Sequence, residues 1–414
     1  MRIGIIGGGI AGLSSCYFLQ KEHEVELFEK EKNVGGACRS VKIKDYVFDY
    51  GPHVLHSNKF GLEFSKSLMG GRLKEVKSEA FIYLYGYYTR YPFGYYLKNL
   101  PLKVRLDCLI GLLKRPNIKV NNFRDWIYSN FGYGFAKHFH IPQNEKKWKY
   151  DLSKMDFDWV GFIPRFKFFD VFKGAFGIKK KEFEKFRSVL YPKSGGIESF
   201  IQEIRKRCKN VKVNSEVKKI RIKNKVELFV NGKWKKYDKV ISSLPLTEYH
   251  KVMKLPRRVE EAFKSLVCNS IVIVNIGLKE KISEKQWIYF PEKKYIFDRV
   301  GFYDNFSGLN KSSIGVEISV KGKIKSKVYY KERVINDLIE SKLLKSKDLI
   351  EVVDVRSLNH SFVIFDLEYR KNVKIIHDFL LENNIIPMGK FGLWRHMSML
   401  DCVEESSKLM RILK

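Results

Sequence analysis

Gly7, Gly9 and Gly12 stand between the apolar run 2–6 and a second apolar stretch, 13–20, at the spacing of a backbone turn that can cradle a diphosphate. Each glycine has its own physical task. Gly7 permits the tight turn, Gly9 lets the backbone approach a pyrophosphate, and Gly12 lets a helix lie close to a strand. The helix beginning after this turn offers free N–H groups and a positive dipole end to an anion. Glu29 closes a further apolar run, 24–28, where its carboxylate can accept hydrogen bonds from both ribose hydroxyls of an adenosine and disfavours a 2′-phosphate. The chemistry these residues suit is therefore the binding of an adenosine diphosphate moiety.

Strand, glycine turn, helix, strand and acid in that order are the elements that must position those groups, and they set the expectation of a Rossmann-type unit. A chain of 414 residues has room for two or three such units, and 44% hydrophobic residues with 29 Gly describe an ordinary globular composition. Six scattered cysteines suggest neither a zinc site nor a disulfide framework, which fits a reducing cytoplasm. His138 and His140 have no accompanying acid or cysteine cluster, so no metal is expected and local packing is the simpler reading. The apolar opening stretch 3–19 is broken by its glycines and does not read as a signal or an anchor.

Lys and Arg outnumber Asp and Glu by 78 to 46, a formal charge of +32. Three accounts are open: a compositional bias, an anionic small-molecule substrate, or peripheral contact with an anionic membrane. No recognised nucleic-acid motif accompanies the charge, so no nucleic acid is expected. Residues 165–187 carry eight basic residues against three acids, interleaved with seven phenylalanines, and basic residues between 98 and 119 flank an apolar stretch at 106–113. Both could lie on a membrane. Packing of cap helices is the plainer alternative.

After Glu29 comes Asn33-Val34-Gly35-Gly36-Ala37-Cys38-Arg39-Ser40, and this resembles the double-glycine segment of the amine-oxidase-like FAD superfamily, in which it wraps the cofactor. Tyr191 to Ile197, Val240 to Pro245, and Gly389 to Gly392 resemble other pieces of the same domain. The resemblance implies FAD as cofactor and an α/β fold: a discontinuous dinucleotide-binding (Rossmann-type) FAD domain over residues 1–85, 188–248 and 385–414. A mixed α+β substrate domain would be inserted in two pieces, 86–187 and 249–384. Short alternating strands between 211 and 244, with Asn231-Gly232 as a hairpin turn, predict a small sheet within the FAD domain.

Asp49-Tyr50-Gly51-Pro52-His53-Val54-Leu55-His56 is similar to the glycine-histidine loop of UDP-galactopyranose mutases. Trp287-Ile288-Tyr289-Phe290-Pro291-Glu292, then Phe297-Asp298-Arg299 and Asn305-Phe306-Ser307, resemble the run that in the eukaryotic mutases precedes a diphosphate-binding arginine and an Asn-Tyr-Ser element. Lower-specificity likenesses are Tyr91-Pro92-Phe93, Lys147-Trp148, Trp159-Val160-Gly161, and Gly389 through Met399. The resemblance implies Gly51, Gly389 and Met399 at the flavin, Tyr289, Arg299, Asn305 and Trp159 at the substrate, and His53 beside the reacting atoms. Departures lie in the same places: Phe162 to Arg165 where Glu-Arg-Val is usual, Phe362-Val363 for Tyr-Pro, Lys390 for an arginine, and His396 for a tyrosine. From its chemistry alone, His53 can be a polar partner or a proton shuttle, because an unperturbed imidazole titrates near neutrality. A turn-capping role is the alternative.

Such a chain is expected to act on an anionic nucleotide sugar through reduced flavin. An FAD-dependent oxidase or dehydrogenase of the amine-oxidase or protoporphyrinogen-oxidase type, on an amine or apolar substrate, is the rival expectation.

Overall fold

The computed structural model describes residues 1–56, 58–178, 188–308 and 312–413. Strand β1 (Arg2–Ile6) is buried along almost its whole length, as a strand must be when helices cover both faces of its sheet. It lies at the centre of a five-stranded sheet, between β2 (Glu24–Phe28) and Lys239–Ser242, with Ile385–Pro387 and Val211–Lys212 at the edges; every pairing is parallel. Helix α1 (Ile10–Leu19) is apolar all round because it is sandwiched, with the helix Met399–Ile412 packed against it. The small residues Ala11 and Ser15 let those two helices meet: the Ser406 and Ser15 hydroxyls both donate to the Ala11 carbonyl.

The strands Val217–Ile222, Val226–Val230 and Lys233–Tyr237 form the small antiparallel sheet. Its second hairpin turns on Asn231 and Gly232, both at positive φ, as the sequence suggested. Leu228 and Tyr237 from this sheet press on Gly4 of β1, where a Cβ would sit 2.9 Å from the tyrosine ring.

A seven-stranded sheet forms the second layer, in the order 350–363, 268–278, 312–320, 299–302, 287–289, 80–84, 87–90. Its two faces differ sharply. Val272, Val274 and Ile276, with Ile314, Val316, Ile318, Val300 and Ile288, turn one way into an apolar core shared with the helix Lys327–Glu340. The alternate positions Asn275 and Gly277, Ser313, Gly315 and Glu317, Arg299 and Gly301, and Tyr289 turn the other way. Glycines on that face admit the first domain closely: added Cβ atoms at Gly277 and Gly301 would lie 2.7 Å from Tyr46 and 2.4 Å from Pro52.

A helical unit packs beside the seven-stranded sheet and shares a core with Ile82 and Leu84 of its strand 80–84. Following α2 (Lys59–Met69) of the first layer, it holds α3 (Leu102–Leu113), α4 (Phe123–Phe135), α5 (Ile141–Trp148) and α6 (Phe168–Phe176). Two features depart from the boundaries drawn on the sequence. Strand Ala80–Leu84, which falls inside the 1–85 segment, pairs into the seven-stranded sheet. Tyr249, Phe263, Ile376 and Leu380, from the 249–384 segment, share a core with Val240 and Ile385 of the parallel sheet. The reason is geometric: a parallel sheet needs covering helices, and here the chain supplies them from beyond the small antiparallel sheet.

Candidate functional site

The glycine turn forms as its spacing requires. Gly7 has φ +93°, and a Cβ on Gly12 would stand 1.9 Å from the Gly7 carbonyl oxygen, so only glycine lets α1 start where it does. The double-glycine segment lies directly on this turn. Gly35 donates its N–H to the Gly8 carbonyl at 2.8 Å, and a Cβ on Gly36 would approach the Gly9 Cα to 3.3 Å. Among the described residues nothing lies within 4 Å of the Cβ position of Gly9, and no side chain caps the N-terminus of α1. Orphan N–H groups facing an opening fit a diphosphate.

Glu29 is buried, and each of its oxygens already accepts one backbone N–H, from Gly8 at 2.7 Å and from Glu31 at 2.8 Å. The carboxylate thus orders the glycine turn itself, and the second lone pair of each oxygen is left for a ribose hydroxyl. Gly389 has φ +75° and brings its short helix against Ala11, while Met399 is buried at the head of the last helix, behind a Ser398–Asp401 capping box.

Asp49 ties the discontinuous pieces together. Its fully buried carboxylate accepts from the Ser40 hydroxyl at 2.6 Å, the Tyr191 hydroxyl at 2.8 Å and the Ile197 N–H at 3.0 Å. Burial raises its pKa to about 6 in spite of these bonds.

From Asp49 the chain turns through Gly51, at φ +94°, into Pro52 and His53, and meets the polar face of the seven-stranded sheet. Tyr289, Arg299 and Glu317 lie directly opposite one another on three adjacent strands. Arg299 donates its Nε–H to the Glu317 carboxylate in a largely buried ion pair. A Cβ on Gly51 would lie 2.9 Å from Glu317 Oε1 and 3.7 Å from His53 Cε1, so loop and ion pair share one small volume.

Burial lowers the His53 pKa to about 4, with Glu317 opposing the shift and Arg299 adding to it. Here the structure corrects a proton shuttle titrating near neutrality. His53 is uncharged at pH 7, and its Nδ1 is buried without a hydrogen-bond partner among the described residues. Such an atom costs about 1–3 kcal/mol unless a ligand meets it.

Two lysines complete the constellation. Lys390 donates to the Ser361 carbonyl at 2.7 Å, and its ammonium lies 4.6 Å from the Phe362 ring centre. Lys147 approaches the same ring to 4.9 Å. Burial lowers both to a pKa of about 8; the charge of Arg299 acts further on Lys147, and that of Lys147 on Lys390. Trp148 and Trp159 pack edge to face at 4.8 Å, and the Trp159 indole N–H donates to the Asp156 carbonyl, so Trp159 belongs to the aromatic wall behind these lysines. Asn305 stands elsewhere: its amide donates to the carbonyls of Ser283 and Lys285 at 2.8 and 2.7 Å, which makes it a loop anchor where a substrate contact was expected.

Glu317 was not singled out from the sequence, and Asp49 and Lys147 were named only inside motifs, with no role of their own. The one signal for Glu317 was its strand, in which Ile314, Val316 and Ile318 alternate with Ser313, Gly315, Glu317 and Ser319: a face of small polar residues interrupted by one acid. His138 and His140 are both packed locally, the first between Tyr85 and Asp107 and the second stacked on Phe131. Among the described residues no group of three or more His, Cys, Asp or Glu could hold a metal ion.

Comparison with known proteins agrees with this architecture. Residues 5–65 match the NAD(P)-binding Rossmann-like domain model, and residues 109–322 match that of the flavin containing amine oxidoreductases. A solved structure of reduced UDP-galactopyranose mutase superposes with a TM-score of 0.93 at 21% identity, over 100% of this chain and 96% of that one. Putrescine oxidase bound to putrescine gives 0.67 at 13% identity, over 100% and 99%. At these identities the likeness is one of fold. Among curated proteins, a 4,4'-diapophytoene desaturase of Staphylococcus aureus is 39% identical over 56 residues, 13% of this chain and 11% of that protein. An uncharacterized protein in the nifH2 3' region of Methanothermococcus thermolithotrophicus is 48% identical over 56 residues, 13% of this chain and 54% of its own length.

Proposed function

Because this chain belongs to the flavin containing amine oxidoreductase family, matched over more than half its length, and is an FAD-dependent enzyme of that superfamily, we propose that it catalyses a redox-neutral isomerisation of a nucleotide sugar, of the UDP-galactopyranose mutase kind. The observation that carries this reading is the Tyr289–Arg299–Glu317 row set against the Gly51–His53 loop, with Lys147 and Lys390 adding positive charge nearby. An apolar substrate gains nothing from such a cluster, whereas a diphosphate does.

In this reading Gly7, Gly9, Gly12, Glu29, Gly35 and Gly36 hold the adenosine diphosphate half of FAD, and Gly51, Gly389 and Met399 border its flavin half. When bound and reduced, FAD supplies an electron-rich centre able to displace a nucleoside diphosphate from a sugar carbon. The protein's own residues bind and orient. Arg299 retains donors beyond the one given to Glu317, and these serve the substrate's diphosphate. Tyr289, beside it on the next strand, orients the sugar nucleotide. Lys147 and Lys390, cationic below about pH 8, neutralise the departing diphosphate. His53, held neutral, offers a hydrogen bond at Nδ1 without adding another charge. Trp159 supports the aromatic wall.

The test is conversion of UDP-galactopyranose by dithionite-reduced protein, followed by chromatography. Galactofuranose product with no stoichiometric use of reductant is expected. Failure to bind UDP, together with oxygen or acceptor consumption on an amine or apolar substrate, would assign the site to an oxidase or dehydrogenase.

A further inference from the structure

Helices α3 and α6 pack against each other, and Arg105 on the first donates to the Ala175 carbonyl on the second at 3.2 Å. Each is properly buried on one side, α3 through Val104, Cys108 and Leu112, and α6 through Val171, Gly174 and Ala175. The opposite sides are also apolar, which a helix that only caps a core does not need. On α3 the exposed large apolar residues are Leu102, Leu106, Ile110 and Leu113; on α6 they are Phe169, Phe172 and Phe176. At about 100° per residue each set falls within roughly 80° of arc, so each is a stripe and not a scatter. Phe169 is 74% exposed and Leu113 65%, large values for side chains of this kind.

Exposed Lys98, Lys103, Lys114 and Lys167 border the two stripes. Single exposed leucines are commonplace, but aligned stripes on neighbouring helices with a basic margin are the pattern of an interfacial surface. We infer that the outer face of α3 and α6 docks this protein on an anionic lipid bilayer, with the phenylalanines and leucines entering the headgroup region and the lysines meeting the lipid phosphates. A second copy of the chain is the other candidate to cover an apolar face. It would bring two basic margins together in a protein of formal charge +32, whereas an anionic bilayer satisfies both the apolar and the charged parts. The stretch 179–187, which carries the rest of the basic, phenylalanine-rich segment noted in the sequence, lies outside the described residues.

The experiment is co-sedimentation of the whole protein with vesicles of phosphatidylcholine alone, or of phosphatidylcholine with phosphatidylglycerol. Wild type should sediment with the anionic vesicles at low salt, be released as salt rises, and bind the neutral vesicles at least tenfold more weakly. A triple variant, Phe169→Ser, Phe172→Ser and Phe176→Ser, should lose binding about tenfold or more, and Lys98→Glu with Lys103→Glu and Lys167→Glu should lose it selectively at low salt. Bound FAD and circular dichroism check that each variant is folded. Equal sedimentation of the phenylalanine variant and wild type would overturn the assignment. So would a wild type indifferent to lipid that elutes as a dimer and becomes a monomer in the same variant, since the face would then be a contact between copies.

Discussion

The glycine turn of the parallel sheet and the polar face of the seven-stranded sheet meet a ligand in opposite ways. In the first, the binding surface is backbone. Gly7, Gly9, Gly12 and Gly36 contribute by having no side chain, and the single acid, Glu29, ties the turn together through two N–H groups. All of it lies within forty residues. In the second, the surface is side chain, and Tyr289, Arg299 and Glu317 come from three strands whose register alone aligns them. Slipping any one of those strands by a residue would turn its contribution into the apolar core. The first region is robust to everything except a Cβ. The second tolerates changes of shape but not an unpaired charge.

The largest effect should separate two glycines of the same turn. Gly12→Ala places a Cβ 1.9 Å from the Gly7 carbonyl oxygen and is expected to leave no folded flavoprotein. Gly9→Val meets open space, with an extended φ of −72° that valine adopts, so the protein should fold with an unchanged melting temperature in FAD-free buffer and yet fail to retain FAD. Flavin absorbance after gel filtration distinguishes the two. A Gly9→Val protein that keeps its FAD would remove the diphosphate from that opening.

In the second region, Arg299→Met leaves Glu317 buried without its partner and should cost about 3–5 kcal/mol in denaturant unfolding. Adding Glu317→Leu removes the orphaned charge, and stability should return to within about 1 kcal/mol of wild type. Affinity for UDP, followed by flavin fluorescence, should fall about ten- to a hundred-fold in both variants, since a lost charge-assisted hydrogen bond is worth roughly 1.5–3 kcal/mol. Recovery of stability without recovery of binding would mark Arg299 as a ligand contact. Recovery of both would make the pair purely structural.

At neutral pH the smallest effect concerns a histidine distant in role from both regions. His140 is buried and stacked on Phe131 at 4.0 Å, and burial lowers its pKa to about 3, well below the ordinary value near 6.5. A depressed histidine pKa contributes stability that is fully present above pH 6.5 and is lost as pH falls toward 3, because the unfolded chain takes up a proton that the folded one refuses. Replacing His140 with Phe should reduce the slope of unfolding free energy against pH by about 1.4 kcal/mol per unit in that window, with little change at pH 7. An unaltered slope would mean that the imidazole reaches solvent.

Legibility followed locality. The turn at Asn231-Gly232 and the order of strand, glycines, helix and acid were readable because both depend on neighbours in the chain. Arg299 and Tyr289 could be named from a motif, but their partner could not: Glu317 is eighteen residues beyond Arg299 and gains its meaning only from strand pairing. Asn305 shows the converse, a motif residue whose amide the fold directs to the 283–285 loop. The domain boundaries shifted because Tyr249 and Ile376 cover the parallel sheet from a distance that sequence cannot measure.

By itself, then, the sequence determined the backbone site, since glycine's freedom at positive φ and its lack of a Cβ are intrinsic to the residue and act within one turn. Only the tertiary structure decided the protonation of the side-chain site. Burial made His53 neutral and drew Lys147 and Lys390 down toward pH 8, and burial is a property of everything that packs around a group, not of the group or its neighbours in the chain.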